Sequence, residues 1–100
     1  MSTTSETVTT DVTILRCANV RTLKIAKTMS GSTICSLSAN DKPSIPIFGI
    51  GRWKDTSNNY FPCLVTVSND GGVTASYFKN NTDVSSITNG TILSCITYIV

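Results

Sequence analysis

A chain of 100 residues is one domain's worth of polypeptide and buries only about 60–70% of the surface its unfolded form exposes, which excludes a second catalytic domain. Charged residues are 14% of the chain and histidine is absent, so the usual general base, the imidazole metal ligand and every Ser-His or Cys-His nucleophile are missing. The net charge of +2 comes from eight basic residues spread from Arg16 to Lys79 without a run, so nothing neutralises several phosphates together and nucleic acid is not an expected partner.

Val, Ile and Thr number 34 against 9 for Leu and Ala, a balance that favours strands over helices because β-branched side chains are stiff at the first torsion. The expected class is all-β. No apolar run approaches the roughly 20 residues a membrane-spanning helix needs. Residues 1–11, rich in Ser and Thr and without periodicity, read as a flexible lead-in or connector, leaving 12–100 as a single domain. The start, MSTTSETVTTDV, has neither the basic region nor the apolar core of a secretory signal, so cytosolic assembly is expected.

From Val12 the pattern alternates. Val12–Leu15 predicts one strand and Arg21–Lys27 another, with Asn19 at the turn, Leu23 and Ile25 inward, and Thr22 and Lys24 outward. Arg16, Arg21, Lys24 and Lys27 read as solvated outward positions, with a basic face for an anionic polymer as the sharper alternative. Thr33–Leu37 predicts a strand whose Cys35 and Leu37 share a face, and Asn40-Asp41-Lys42-Pro43 stops it. Ser44–Ile50 is apolar but carries Pro46, which suits an edge strand or a strand start.

Gly51–Pro62 (GRWKDTSNNYFP) reads as a long loop, and loops of such length often carry function. The runs Cys63–Ser68 and Val73–Phe78 flank Asn69-Asp70-Gly71-Gly72, a tight hairpin signal, with Val65, Val67, Val73, Ala75 and Tyr77 on its core face. Lys79–Gly90 is polar. Thr91–Val100 has no Gly, Pro or charge and predicts a central strand buried on both faces. Six or seven such strands suit a small antiparallel β-sandwich or jelly roll.

Cys17, Cys35, Cys63 and Cys95 form no C-x-x-C pair, so no metal knuckle or redox motif is expected. They read as small buried hydrophobes with unreactive thiols, with a disulfide framework as the alternative. The six acids, Glu6, Asp11, Asp41, Asp55, Asp70 and Asp83, sit mostly in turn contexts where a carboxylate caps backbone N–H groups. No cofactor, catalytic residue or metal ligand is expected.

The order of elements resembles a known family. An N-V-R-T-L-K-I strand, a Pro-marked apolar strand, YFPCLVTVSNDGGVTASYF and a closing NGTILSCITYIV are similar to the small C-terminal domain of bacteriophage tail-fibre and baseplate proteins, over Val20–Val100. The resemblance implies a jelly-roll-like sandwich, usually a homotrimer, on a virion tail appendage assembled in the host cytoplasm. It implies contact with other virion tail proteins and attachment to a host cell-wall polysaccharide. A purely structural baseplate, head-fibre or decoration role is the alternative, and an enzyme is not expected.

Sugar recognition needs a flat apolar ring against a pyranose face, with amides and carboxylates nearby for the hydroxyls. Arg52, Trp53, Asp55, Asn58, Asn59 and Tyr60 supply those types within one segment and are the candidate ligand-binding residues. A lone tryptophan equally suits a core or interface anchor. Asn80, Asn81 and Asp83 make a second polar loop with a weaker claim.

Overall fold

The computed structural model describes residues 3–100. Among the described residues nine strands form one antiparallel sheet: β1 (Thr4–Thr9), β2 (Val12–Cys17), β3 (Val20–Thr28), β4 (Thr33–Ser36), β5 (Ile47–Lys54), β6 (Tyr60–Val67), β7 (Gly72–Asn80), β8 (Asp83–Ser86) and β9 (Thr91–Ile99). Ala39–Asp41 makes one 3₁₀ turn. The spatial order is β1-β2-β3-β9-β5-β6-β7, and β4 and β8 share the outer edge of β7, β4 along Gly72–Thr74 and β8 along Ser76–Asn80.

Alternation along each strand makes one face apolar. Val12, Ile14, Leu23, Ile25, Ile92 and Ile96 from β2, β3 and β9 join Cys63, Val65, Val67, Val73 and Ala75 from β6 and β7 in a single buried cluster. The sheet therefore curls until its two halves meet across one core. β5 and β9 pair only over Gly51–Lys54 and Thr91–Ser94, and beyond that point they separate. A Cβ on Gly49 would lie 2.7 Å from Cγ1 of Ile96, so the Ile96 side chain occupies the opening and Gly49 must stay bare.

The predicted hairpin is present as β6 and β7, with Val65, Val67 and Val73 fully buried and the Asp70 carboxylate accepting the Gly72 N–H at 2.9 Å. Leu23 and Ile25 point inward as expected. β5 begins just past Pro46 and lies inside the sheet. Pro62 is tolerated within β6 because β7 pairs only with Leu64–Val67. In β4, a register shift between Thr33 and Cys35 lets Ile34 and Cys35 both face the core.

Four expectations are corrected. The stretch 1–11 read as a lead-in contains β1, paired with β2 from Thr4 to Thr9; its polar sequence suits an edge strand exposed on both faces, and Met1 and Ser2 lie outside the described residues. Gly51–Pro62 is not a long loop but the end of β5, the turn Asp55–Asn59 and the start of β6. β9 is internal to the sheet yet buried on one face only, with Ile92, Ser94, Ile96 and Tyr98 inward and Leu93, Cys95, Thr97 and Ile99 outward. Arg21 is buried, not solvated.

Arg21 is buried because it has partners. Arg16, Arg21 and Tyr98 form one row across β2, β3 and β9, and the 3₁₀ turn covers that row with Asp41. Arg16 grips the Asp41 carboxylate with two parallel bonds, Nε–H to Oδ1 at 2.8 Å and Nη2–H to Oδ2 at 2.7 Å. Arg21 Nε–H donates to Oδ1 at 2.9 Å, the Ser38 hydroxyl to Oδ2 at 3.1 Å, and the Tyr98 hydroxyl to the Asp41 carbonyl at 2.7 Å. The Arg16 bonds, more than any other influence, pull the Asp41 carboxyl down from its usual range to about 2. Burial, with the nearby Asp41 charge, pushes the Tyr98 phenol up to about 12.

Candidate functional site

The short Asp55–Asn59 turn brings Trp53 of β5 directly opposite Phe61 of β6, and β7 adds Tyr77. Trp53 stacks on Tyr77 with ring centroids 5.2 Å apart at 22°, and meets Phe61 at 5.7 Å and 39°. The indole Nε1–H donates to the Asn89 carbonyl at 2.9 Å, which satisfies its one polar atom and fixes the ring. That bond depends on Gly90, whose φ of +78° and missing Cβ let the Thr88–Gly90 segment pass close to β5.

These rings wall a cleft of about 550 Å³, with Phe78 and Pro62 completing its apolar lining and Asp55 and Lys79 supplying its charged groups. Phe61 is 43% and Phe78 52% exposed, so the aromatic wall is open to solvent. Flat apolar surface bordered by one acid and one amine can stack against a ring and accept or donate hydrogen bonds around it. Among the described residues no three His, Cys, Asp or Glu side chains converge as a metal centre requires.

The six residues expected to form one binding loop part company. Trp53 and Asp55 reach the cleft. Asp55 also closes its own turn, its Oδ1 accepting the Ser57 and Asn59 N–H groups at 2.9 Å each. Asn58 takes the left-handed φ of +65° within that turn, and the Asn59 carbonyl accepts the Asp55 N–H at 2.9 Å. Arg52 and Tyr60 project from the opposite face, where the guanidinium lies 4.7 Å from the centroid of the Tyr60 ring. Alternation along β5 turns Arg52 to the face opposite Trp53.

Phe61, Pro62, Tyr77, Phe78 and Lys79 were missed as site residues. The available signal was Trp53 and Phe61 flanking seven residues, five of them turn-forming, which a hairpin sets side by side. The second polar loop forms the β7–β8 turn, where the Asn80 side-chain carbonyl accepts the N–H and hydroxyl of Thr82 at 2.9 and 2.8 Å.

All four cysteines are free. Cys35 and Cys63 are buried, and desolvation pushes the Cys35 thiol up to about 11 and raises that of Cys63. Cys95 is exposed and Cys17 half-buried, so the expectation of buried cysteines holds for two of the four. In a disulfide-exchange assay on the native protein, Cys95 is expected to react first, with Cys35 and Cys63 silent until urea unfolds the chain. Prompt reaction of all four would mean that the core opens readily.

No protein-family model and no curated protein matches the sequence.

Proposed function

We propose that this domain is a non-enzymatic binding module that takes a pyranose ring of a host cell-surface glycan into the Trp53–Phe61–Tyr77 cleft. The observation that carries the reading is the solvent-open aromatic wall with Asp55 and Lys79 among its lining residues. It accords with the tail-fibre and baseplate domains that the sequence resembles, for which the two halves of the curled sheet would be the layers of a sandwich on a virion appendage. Presentation in several copies, as in the homotrimers that the resemblance implies, would turn weak single sites into avid attachment.

Glycan-array binding of wild type, Phe61→Ala and Phe78→Ser tests the reading. Both rings are partly exposed, so the variants are expected to keep the wild-type circular dichroism spectrum and to lose about tenfold in affinity, near the 1.4 kcal/mol that one aromatic contact supplies. Equal binding by all three proteins would remove the cleft from the argument. A structural virion component is the second reading, favoured by the apolar character of the opposite sheet face; absence of binding to any glycan would support it.

A further inference from the structure

Asn89 is the one asparagine in the chain that a glycine follows; the other seven precede residues that carry side chains. It is exposed, in the segment between β8 and β9 that passes close to β5. Two hydrogen bonds grip Asn89-Gly90, both through carbonyls: that of Asn89 accepts the Trp53 Nε1–H at 2.9 Å and that of Gly90 accepts the Met29 N–H at 2.7 Å. Among the described residues neither the Asn89 carboxamide nor the Gly90 N–H takes part in a hydrogen bond. We propose that Asn89 is a site of spontaneous modification, where the Gly90 nitrogen displaces ammonia from the side chain and the isoaspartate that follows draws the Trp53 indole from its place.

The only co-reactant is water. Hydroxide takes the Gly90 amide proton and the nitrogen attacks Cγ of Asn89. The new N–Cγ bond closes a succinimide ring, the Cγ–Nδ2 bond breaks, and Nδ2 leaves as ammonia with a proton returned from water. Water then opens the ring at one of its two carbonyls. Opening at Cγ gives aspartate in the ordinary main chain, and opening at the other carbonyl gives isoaspartate, whose main chain runs through Cβ and Cγ. A Cβ on the following residue crowds ring closure, and Gly90 has none.

Asp70-Gly71 has the same spacing but a different fate. The Gly72 N–H donates to Asp70 Oδ1 at 2.9 Å and holds that carboxyl below its usual range, and an ionised carboxylate is a poor electrophile. Asn80 is tied as well, its side-chain carbonyl accepting the Thr82 N–H and hydroxyl. At Asn89 the isoaspartate product lengthens the main chain by one bond, about 1.5 Å. The carbonyl that accepted the indole N–H becomes a free carboxylate on a branch. Gly90 sits so near β5 that a Cβ on it would lie 2.6 Å from Trp53 Nε1, so the added bond moves the segment against the indole. The aspartate product keeps both main chain and hydrogen bond. The inference does not rest on glycan binding, because the ring reports its own position.

The folded chain is incubated at mildly alkaline pH beside a sample unfolded in urea, and tandem mass spectrometry follows each asparagine. In the folded sample Asn89 is expected to deamidate before the other seven, faster as pH rises, with isoaspartate among the products. Emission from Trp53, the only tryptophan, is expected to shift in step. Asn89 is exposed and does not take a left-handed φ, so Asn89→Gln keeps the fold; its longer side chain closes the ring slowly, and its emission is expected to stay constant. Freshly purified Asn89→Asp is expected to match wild-type emission, since the charge changes without lengthening the main chain. Asn89 persisting in the folded chain while the urea sample deamidates there, or another asparagine reacting first, would overturn the site. Isoaspartate that accumulates with no shift in emission, or the same shift in fresh Asn89→Asp, would overturn its effect on Trp53.

Discussion

Asp41→Asn is expected to destabilise the domain by about 3–5 kcal/mol, the usual loss when one partner of a buried ion pair is removed and the other is left uncompensated. The carboxylate is 2% exposed and is held by both Arg16 and Arg21, the second of which is itself buried. Asparagine keeps the shape but removes the charge, so the Arg21 guanidinium stays in the interior without an anion. The same change loosens the 3₁₀ turn whose backbone carbonyl accepts the Tyr98 hydroxyl. Urea denaturation of the two proteins measures the difference. A loss under about 1 kcal/mol would mean that the pair behaves as a solvated surface bridge.

The acid limb of the stability curve carries the same signature. Asp41 has its folded-state carboxyl held at about 2, below the 3.8 usual for aspartate. Its contribution is therefore fully present above the unfolded value and is lost as pH falls through about 2. Wild type should lose stability from about pH 4 downward, and the gap between wild type and Asp41→Asn should narrow over that range. A gap that stays constant down to pH 2 would assign the stabilisation to shape rather than charge.

Gly90→Ala is expected to cost about 2–4 kcal/mol, combining backbone strain with overpacking. At φ +78° a side chain is unfavourable, and the added Cβ would lie 2.3 Å from the Lys54 carbonyl oxygen and 2.6 Å from Trp53 Nε1. Either β5 or the indole must move, so tryptophan emission should shift together with the unfolding midpoint. Gly31→Ala is the control: its φ is +137°, but nothing lies within 4 Å of the added Cβ, so it carries backbone strain alone, about 1 kcal/mol, with unchanged emission. Equal losses for the two variants would show that the close approach to Trp53 is relieved without cost. Because Gly90 positions Trp53, its substitution is also a means of perturbing the cleft from outside.

What could be read in advance follows the range of the interactions concerned. The β6–β7 hairpin is written locally, in two alternating runs and an Asn-Asp-Gly-Gly turn, and it is found as expected. The inward positions Leu23 and Ile25 follow from period two alone. β1 escapes the same logic because its six residues contain one apolar side chain, Val8, and its pairing with β2 is written in the backbone rather than in hydrophobicity. β9 misleads in the other sense. A run such as Ile92, Leu93, Cys95, Ile96 and Ile99 looks doubly buried, whereas its outward members are exposed instead. Asp41 lies 25 residues from Arg16 and 20 from Arg21, so no local pattern marks the triad. The candidate site was half legible: residue types pointed to Trp53 and Asp55, but only the register of β5, β6 and β7 separates them from Arg52 and Tyr60 and adds Phe61 and Tyr77.

The place of β9 has a bearing on how the polypeptide reaches this state. It follows the other strands of the described residues in chain order, yet it bridges β3 and β5. Until Thr91–Ile99 arrives, β1–β3 and β5–β7 are two separate ribbons, each showing an unsatisfied border at β3 or at β5. Closing them spans the 75 residues between Thr22 and Thr97, an entropic penalty that places folding in the millisecond-to-second regime of strongly non-local β proteins. Strangers compete for those borders in the interval, so crowded conditions should favour tangled assemblies over refolded monomers.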